Sequence, residues 1–152
     1  MDNLNMTVFS LASSALDKGS PRRDICRMAL VGLASRPEKY VVAIDFDGTL
    51  HYGTWPEIGE PNKELLERAL LARKCGVQLV LWTCREGDTL KEAVDWCWER
   101  GLEFDALNDN IEERKALYGN NPRKIGYDEL WDDRAIPIDA RTWDVLCGFR
   151  MP

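Results

Sequence analysis

The sequence predicts an α/β protein: a three-layer α/β/α sandwich around a mostly parallel, Rossmann-like sheet of about five strands, with an N-terminal helical extension. Three observations predict it. Short apolar, β-branched runs alternate with stretches of helical period. Glycines close the helical stretches, at Gly76 and Gly101. Acids and hydroxyls follow the apolar runs directly, where open parallel sheets carry their chemistry.

Residues 6–18 carry Met6, Phe9, Ala12 and Leu16 in a weak helical pattern, broken at Gly19-Ser20-Pro21. Ser20 is a good N-cap and Pro21 a good first helical residue, opening a stronger amphipathic helix over 21–35 with Ile25, Met28, Ala29 and Leu33 on one face. Residues 1–37 therefore read as a helical extension packed on a main body of residues 38–152, and as a candidate surface for homo-oligomer formation. In the body, Tyr40–Ile44 is a strand buried on both faces. A helix over 61–75 begins near Pro61 and turns Leu65, Leu66, Ala69 and Leu70 inward. Val77–Trp82 is a second buried strand, and 88–100 the next helix, with Leu90, Val94 and Cys97 on one face. A weaker strand at Phe104–Leu107, a short helix from Ile111 to Tyr118 and a strand near Ile125–Trp131 continue the alternation. Ala135–Ile138 and Thr142–Cys147 suggest a last strand and a closing helix.

Composition narrows the function classes. In 152 residues, 20 Lys and Arg against 26 Asp and Glu leave a net charge of −6, which disfavours nucleic acid and anionic membranes as partners. No apolar run approaches the roughly 20 residues that span a bilayer. The N-terminus lacks a basic segment followed by a continuous apolar one, so no secretory signal is expected. The 5 cysteines are dispersed without a CxxC pair, which reads as free thiols in a reducing cytoplasm. With a single histidine, any metal is expected to be hard and oxygen-bound.

Three polar signals stand at strand ends. Asp45-Phe46-Asp47-Gly48-Thr49-Leu50 follows the first strand, and period two puts Asp45 and Asp47 on one side of an extended backbone. Two carboxylates so close repel each other, so a cation is expected to make their joint ionisation tolerable; a plain Asp-Gly turn is the bland alternative. Thr83 follows the second strand, as a phosphate donor or an ordinary helix cap. Asp132-Asp133 ends the ELW strand with Lys124 upstream, as a site or as a solvated turn beside a surface cation.

Taken together in this order, DFDGTL, Thr83, Lys124 and Asp132-Asp133 resemble the haloacid dehalogenase superfamily of phosphotransferases over residues 40–139. The resemblance implies a Mg²⁺-dependent phosphatase that hydrolyses a phosphate monoester through an aspartyl-phosphate. Asp45 is then the nucleophile and Asp47 the general acid and base. Mg²⁺ is held by the Asp45 carboxylate, the Asp47 main-chain carbonyl and one acid of the Asp132-Asp133 pair. Thr83 binds the transferring phosphoryl group and Lys124 neutralises charge. Gly48, Thr49, His51 and Arg85 are candidate substrate-binding positions. Arg85 is read as a phosphate contact or as a salt bridge to Glu86 or another acid, His51 as a substrate contact, a proton relay or a solvated loop residue, and Trp55 as a stacking platform or flap packing. The Asn108-Asp109-Asn110 loop reads as turn chemistry.

The segment from His51 to Asn62 suffices for a flap but not for a cap domain, so the site is expected to be open to large or extended phosphorylated substrates. A polynucleotide-end phosphatase or nucleotidase is the alternative enzyme, although Arg114-Lys115 and Arg123-Lys124 make only a small basic patch. A receiver-type regulatory domain wants adjacent acids first and a lone Asp later, the reverse of this order. A catalytically silent Mg²⁺-binding domain with the same motifs is the remaining alternative.

Overall fold

The computed structural model describes residues 39–135. The expected N-terminal helical extension, the expected closing helix at 142–147 and the expected last strand beyond Ala135 lie outside the described residues. The chain runs β1 (Val41–Ile44), α1 (Lys63–Lys74), β2 (Gln78–Leu81), α2 (Gly87–Trp98), β3 (Ala106–Leu107), α3 (Glu112–Tyr118) and β4 (Glu129–Trp131). All pairings are parallel, in the order β3-β2-β1-β4. The expected α/β alternation is present, but as a sheet of 4 strands with three helices among the described residues, not a five-stranded three-layer sandwich.

Continuous apolar runs become central strands because both faces must be covered. All of β1 is 0% exposed. On one face Val42, Ile44, Leu79 and Leu81 pack with Leu66, Ala69 and Ala72 of α1 and Ala93 and Cys97 of α2. On the other, Val41, Ala43 and Val80 meet Ile111 and Ile125, so the apolar cover there comes from the start of a short helix and a loop. That is why no full helical layer forms on this face among the described residues.

Local chemistry sets the element bounds. Helix α1 starts where Asn62 Oδ1 accepts from the Leu65 N–H, one residue beyond Pro61. It stops before Gly76, whose φ of +83° suits a left-handed residue past the helix end. The two weak strands are shorter than their apolar runs because acids take over the ladder. Asp105 Oδ2 accepts from Leu79 N at 2.8 Å and from Arg73 Nη1 at 2.8 Å, just before β3. Asp128 Oδ2 accepts from Val41 N at 2.9 Å and from Arg114 Nη2 at 2.7 Å, just before β4.

The strand order sets the site. From β1 the chain moves to β2 and then β3 on one side, and β4 lies on the other side of β1. The carboxyl ends of β1 and β4 thus form the switch point at which open α/β sheets bind ligands.

Candidate functional site

Asp45 leaves β1 at that switch point, and its N–H still donates to Trp131 O at 2.9 Å, so the β1–β4 seam extends to the site. Asp132 and Asp133 leave β4 beside it. Ligand oxygens from Asp45, Asp132 and Asp133 lie within 4.8 Å of one another. Such an all-oxygen donor set suits a hard divalent cation and offers little to a soft one. Burial pushes the Asp45 carboxyl up to about 6; hydrogen bonds from Phe46 N–H and the Thr49 hydroxyl pull it down, while the Asp132 and Asp133 charges push it further up. The surrounding charges therefore favour a cation here.

Thr49 and Gly48 hold the cluster together. The buried Thr49 hydroxyl donates to Asp45 Oδ2 and accepts from the Asp133 N–H, both at 3.0 Å, joining the first motif to the last. Gly48 has φ +81°, and a Cβ there would come within 2.6 Å of Asp133 Oδ2. Only glycine satisfies the turn and leaves room for that carboxylate.

Asp47 is built differently from Asp45. Arg85 grips it through both oxygens, with Nε at 3.0 Å from Oδ2 and Nη2 at 2.7 Å from Oδ1. His51 Nε2 lies 3.2 Å from Oδ1. Burial raises the Asp47 carboxyl, but the Arg85 hydrogen bonds and charge, with the His51 bond, outweigh it and hold the group below its ordinary value. Arg85 itself is fully buried, between the Phe46 ring at 5.0 Å and the Trp55 ring at 4.9 Å. The salt-bridge reading of Arg85 is thus met by Asp47, 38 residues away, not by neighbouring Glu86.

His51 is 0% exposed, which removes it from solvent contact. Its Nδ1 accepts from Gly53 N at 2.8 Å and Gly59 N at 3.2 Å. A nitrogen that accepts carries no proton, so Nε2 bears the hydrogen and donates to Asp47. His51 fastens the flap to the site and is not a solvated loop residue. At pH 7.5 the ¹⁵N spectrum of this single histidine should show the Nε2–H tautomer; an Nδ1–H pattern would remove His51 as the Asp47 donor.

Thr83 stands after β2, and its hydroxyl accepts from Arg85 N at 3.2 Å, an ordinary turn bond that leaves its hydrogen available to a ligand. Asn108, which sequence reasoning took for turn chemistry, clips this loop. Its Oδ1 accepts from Thr83 N at 2.8 Å and its Nδ2 donates to Arg85 O at 3.1 Å. Its backbone takes φ +49°, a region that asparagine tolerates, so the residue type was the only signal in the sequence. Lys124 is exposed and makes no ion pair among the described residues; it lines a cavity of about 300 Å³ with Asn110, Arg114 and Tyr118. The Arg114 guanidinium there pairs with Asp128 beside Val41, whereas Asp45 lies past the last residue of β1.

Of the described cysteines, Cys75 and Cys97 are buried and form no disulfide among the described residues, and burial pushes the Cys97 thiol up to about 12, making it inert. Cys84, next to Thr83, is exposed. No helix among the described residues is long and apolar enough to cross a membrane.

Fold and site together define an α/β protein with a parallel sheet and a carboxylate cluster at its switch point. No protein-family model matches the chain, and no curated protein does. Among solved structures it is similar to a conserved protein from Bacteroides thetaiotaomicron, with a TM-score of 0.58 and 33% sequence identity over 75% of this chain and 94% of that one. The chain belongs to the same family as that protein.

Proposed function

We propose that the protein is a Mg²⁺-dependent phosphomonoesterase of the haloacid dehalogenase type. The observation that carries this reading is the Asp45, Asp132 and Asp133 cluster, with its oxygens within 4.8 Å, at the switch point of a parallel sheet. Mg²⁺ fits the donor set and would be held by Asp45 and the Asp132-Asp133 pair; when bound it offsets the charge between a carboxylate and a phosphate. Asp45 attacks phosphorus with one carboxylate oxygen, the ester oxygen leaves, and water later cleaves the acyl phosphate to return Asp45 and release phosphate. Thr49 orients Asp45 by occupying Oδ2. Thr83 donates its hydroxyl hydrogen to the phosphoryl oxygens, while its oxygen accepts from Arg85 N. Asp47 is the proton carrier, and its bond to Arg85 must loosen before it protonates a leaving group.

A second reading rests on that same bond. Asp47 is gripped by Arg85 and its ionised form is favoured, which suits a silent cation-binding domain as well as a hydrolase. One experiment separates them. The purified protein is incubated with a panel of phosphomonoesters in Mg²⁺ or in chelator, while its melting temperature is recorded with and without Mg²⁺. Phosphate release that needs Mg²⁺ and disappears in Asp47→Asn supports the hydrolase. A rise in melting temperature with Mg²⁺ but no turnover of any ester replaces it with the silent domain.

A further inference from the structure

We propose that the outer face of Trp55 is a stacking platform for the leaving group, so that the substrate is a phosphate monoester bearing a flat aromatic ring, a nucleoside monophosphate. This rests on the phosphomonoesterase reading and names its substrate class. Trp55 is 56% exposed, which leaves part of its indole open to a flat partner. It is nevertheless held. One face lies against the buried Arg85 guanidinium, 4.9 Å from the ring centre, and Arg85 Nη2 donates to the next carbonyl, Pro56 O, at 2.9 Å.

The base of the flap is braced as well. His51 Nδ1 accepts from both Gly53 and Gly59, and those two glycines cross so closely that a Cβ on Gly53 would sit 2.4 Å from Gly59 N. A braced flap with a pinned ring loses little freedom when a second ring lands on it, which is what stacking affinity requires. The platform also has an address. The guanidinium beneath the indole is the one that grips Asp47, so one ring contact and one ion pair separate Trp55 from the proposed proton carrier. Tyr52, 65% exposed on the same flap, adds a second aromatic surface. The net charge of −6 opposes a long polyanion, which favours a mononucleotide over a polynucleotide end.

The test compares the wild-type chain with Trp55→Ala, Trp55→Leu and Trp55→Phe in Mg²⁺. Substrates are adenosine 5′-monophosphate, ring-free glycerol 2-phosphate and a 3′-phosphorylated oligonucleotide. Leucine keeps apolar cover over Arg85 without a ring, so it serves if alanine fails to fold. The ratio of kcat/KM for the nucleotide to that for glycerol 2-phosphate should fall about 5- to 100-fold in the alanine and leucine variants, mainly through KM, and recover in phenylalanine. An unchanged ratio makes Trp55 a brace for Arg85 and overturns the proposal, and wild-type preference for the oligonucleotide overturns the mononucleotide assignment. Independently of turnover, unphosphorylated adenosine should shift the Trp55 indole N–H resonance. A shift without hydrolysis of any ester keeps the platform and sinks the phosphomonoesterase; hydrolysis without a shift does the reverse.

Discussion

Asp45→Asn should abolish Mg²⁺-dependent phosphate release, by about 10⁴-fold or more, because the amide has no lone pair basic enough to form the acyl phosphate. The same substitution should stabilise the metal-free fold at high pH. The Asp45 carboxyl sits at about 6 in the folded protein against an ordinary 3.8, so the fold binds that proton more tightly than the unfolded chain does. Its stabilising contribution is complete below the unfolded value and is lost as pH rises through about 6. Asparagine is neutral throughout and escapes that loss. In chelator, the melting temperature of the variant should match wild type near pH 4 and exceed it by about 2–5 °C near pH 8. Retained hydrolysis would remove Asp45 as the nucleophile. A melting difference that does not grow with pH would show that Asp45 is not held in a carboxylate-repelling site.

Arg85→Ala should cost about 2–4 kcal/mol of stability, at the lower part of the range for breaking a buried ion pair because the Asp47 side chain is 27% exposed. The loss has three sources: an Asp47 carboxylate without its fork, a void between Phe46 and Trp55, and a flap freed from Pro56. Arg85→Lys restores the charge but neither the two-pronged grip nor the stacking, so it should recover only part. Urea unfolding with an unchanged slope measures both. A midpoint within error of wild type for Arg85→Ala would mean that the guanidinium does not hold the flap.

Much of this fold was legible in the sequence because its main signals are local. The apolar run Tyr40–Ile44 has to be a strand covered on both faces, and β1 lies entirely out of solvent. Asp45 and Asp132-Asp133 were legible because they directly follow strands, and parallel order carries strand ends to one edge. What the sequence left open is long-range or lies in side-chain contacts. Nothing periodic tells that Arg85 turns back to Asp47, that Asn108 reaches across to Thr83, or that His51 folds inward on two glycine amides. Asp105 and Asp128 shortened their strands by substituting carboxylates for backbone acceptors, a competition that propensity does not weigh.

The sheet order has a consequence for how the protein breathes. Among the described residues β4 is an edge strand of three residues, Glu129–Trp131, paired with β1 alone. Short edges open locally at far lower free energy than central strands. The acids that complete the carboxylate cluster therefore ride on a short edge strand, with the Thr49 hydroxyl as the tie between Asp133 and the buried centre. A cation bound across Asp45 and Asp132-Asp133 would act as a rivet, joining edge to centre, and ligand affinity and edge fraying become one equilibrium seen from two ends.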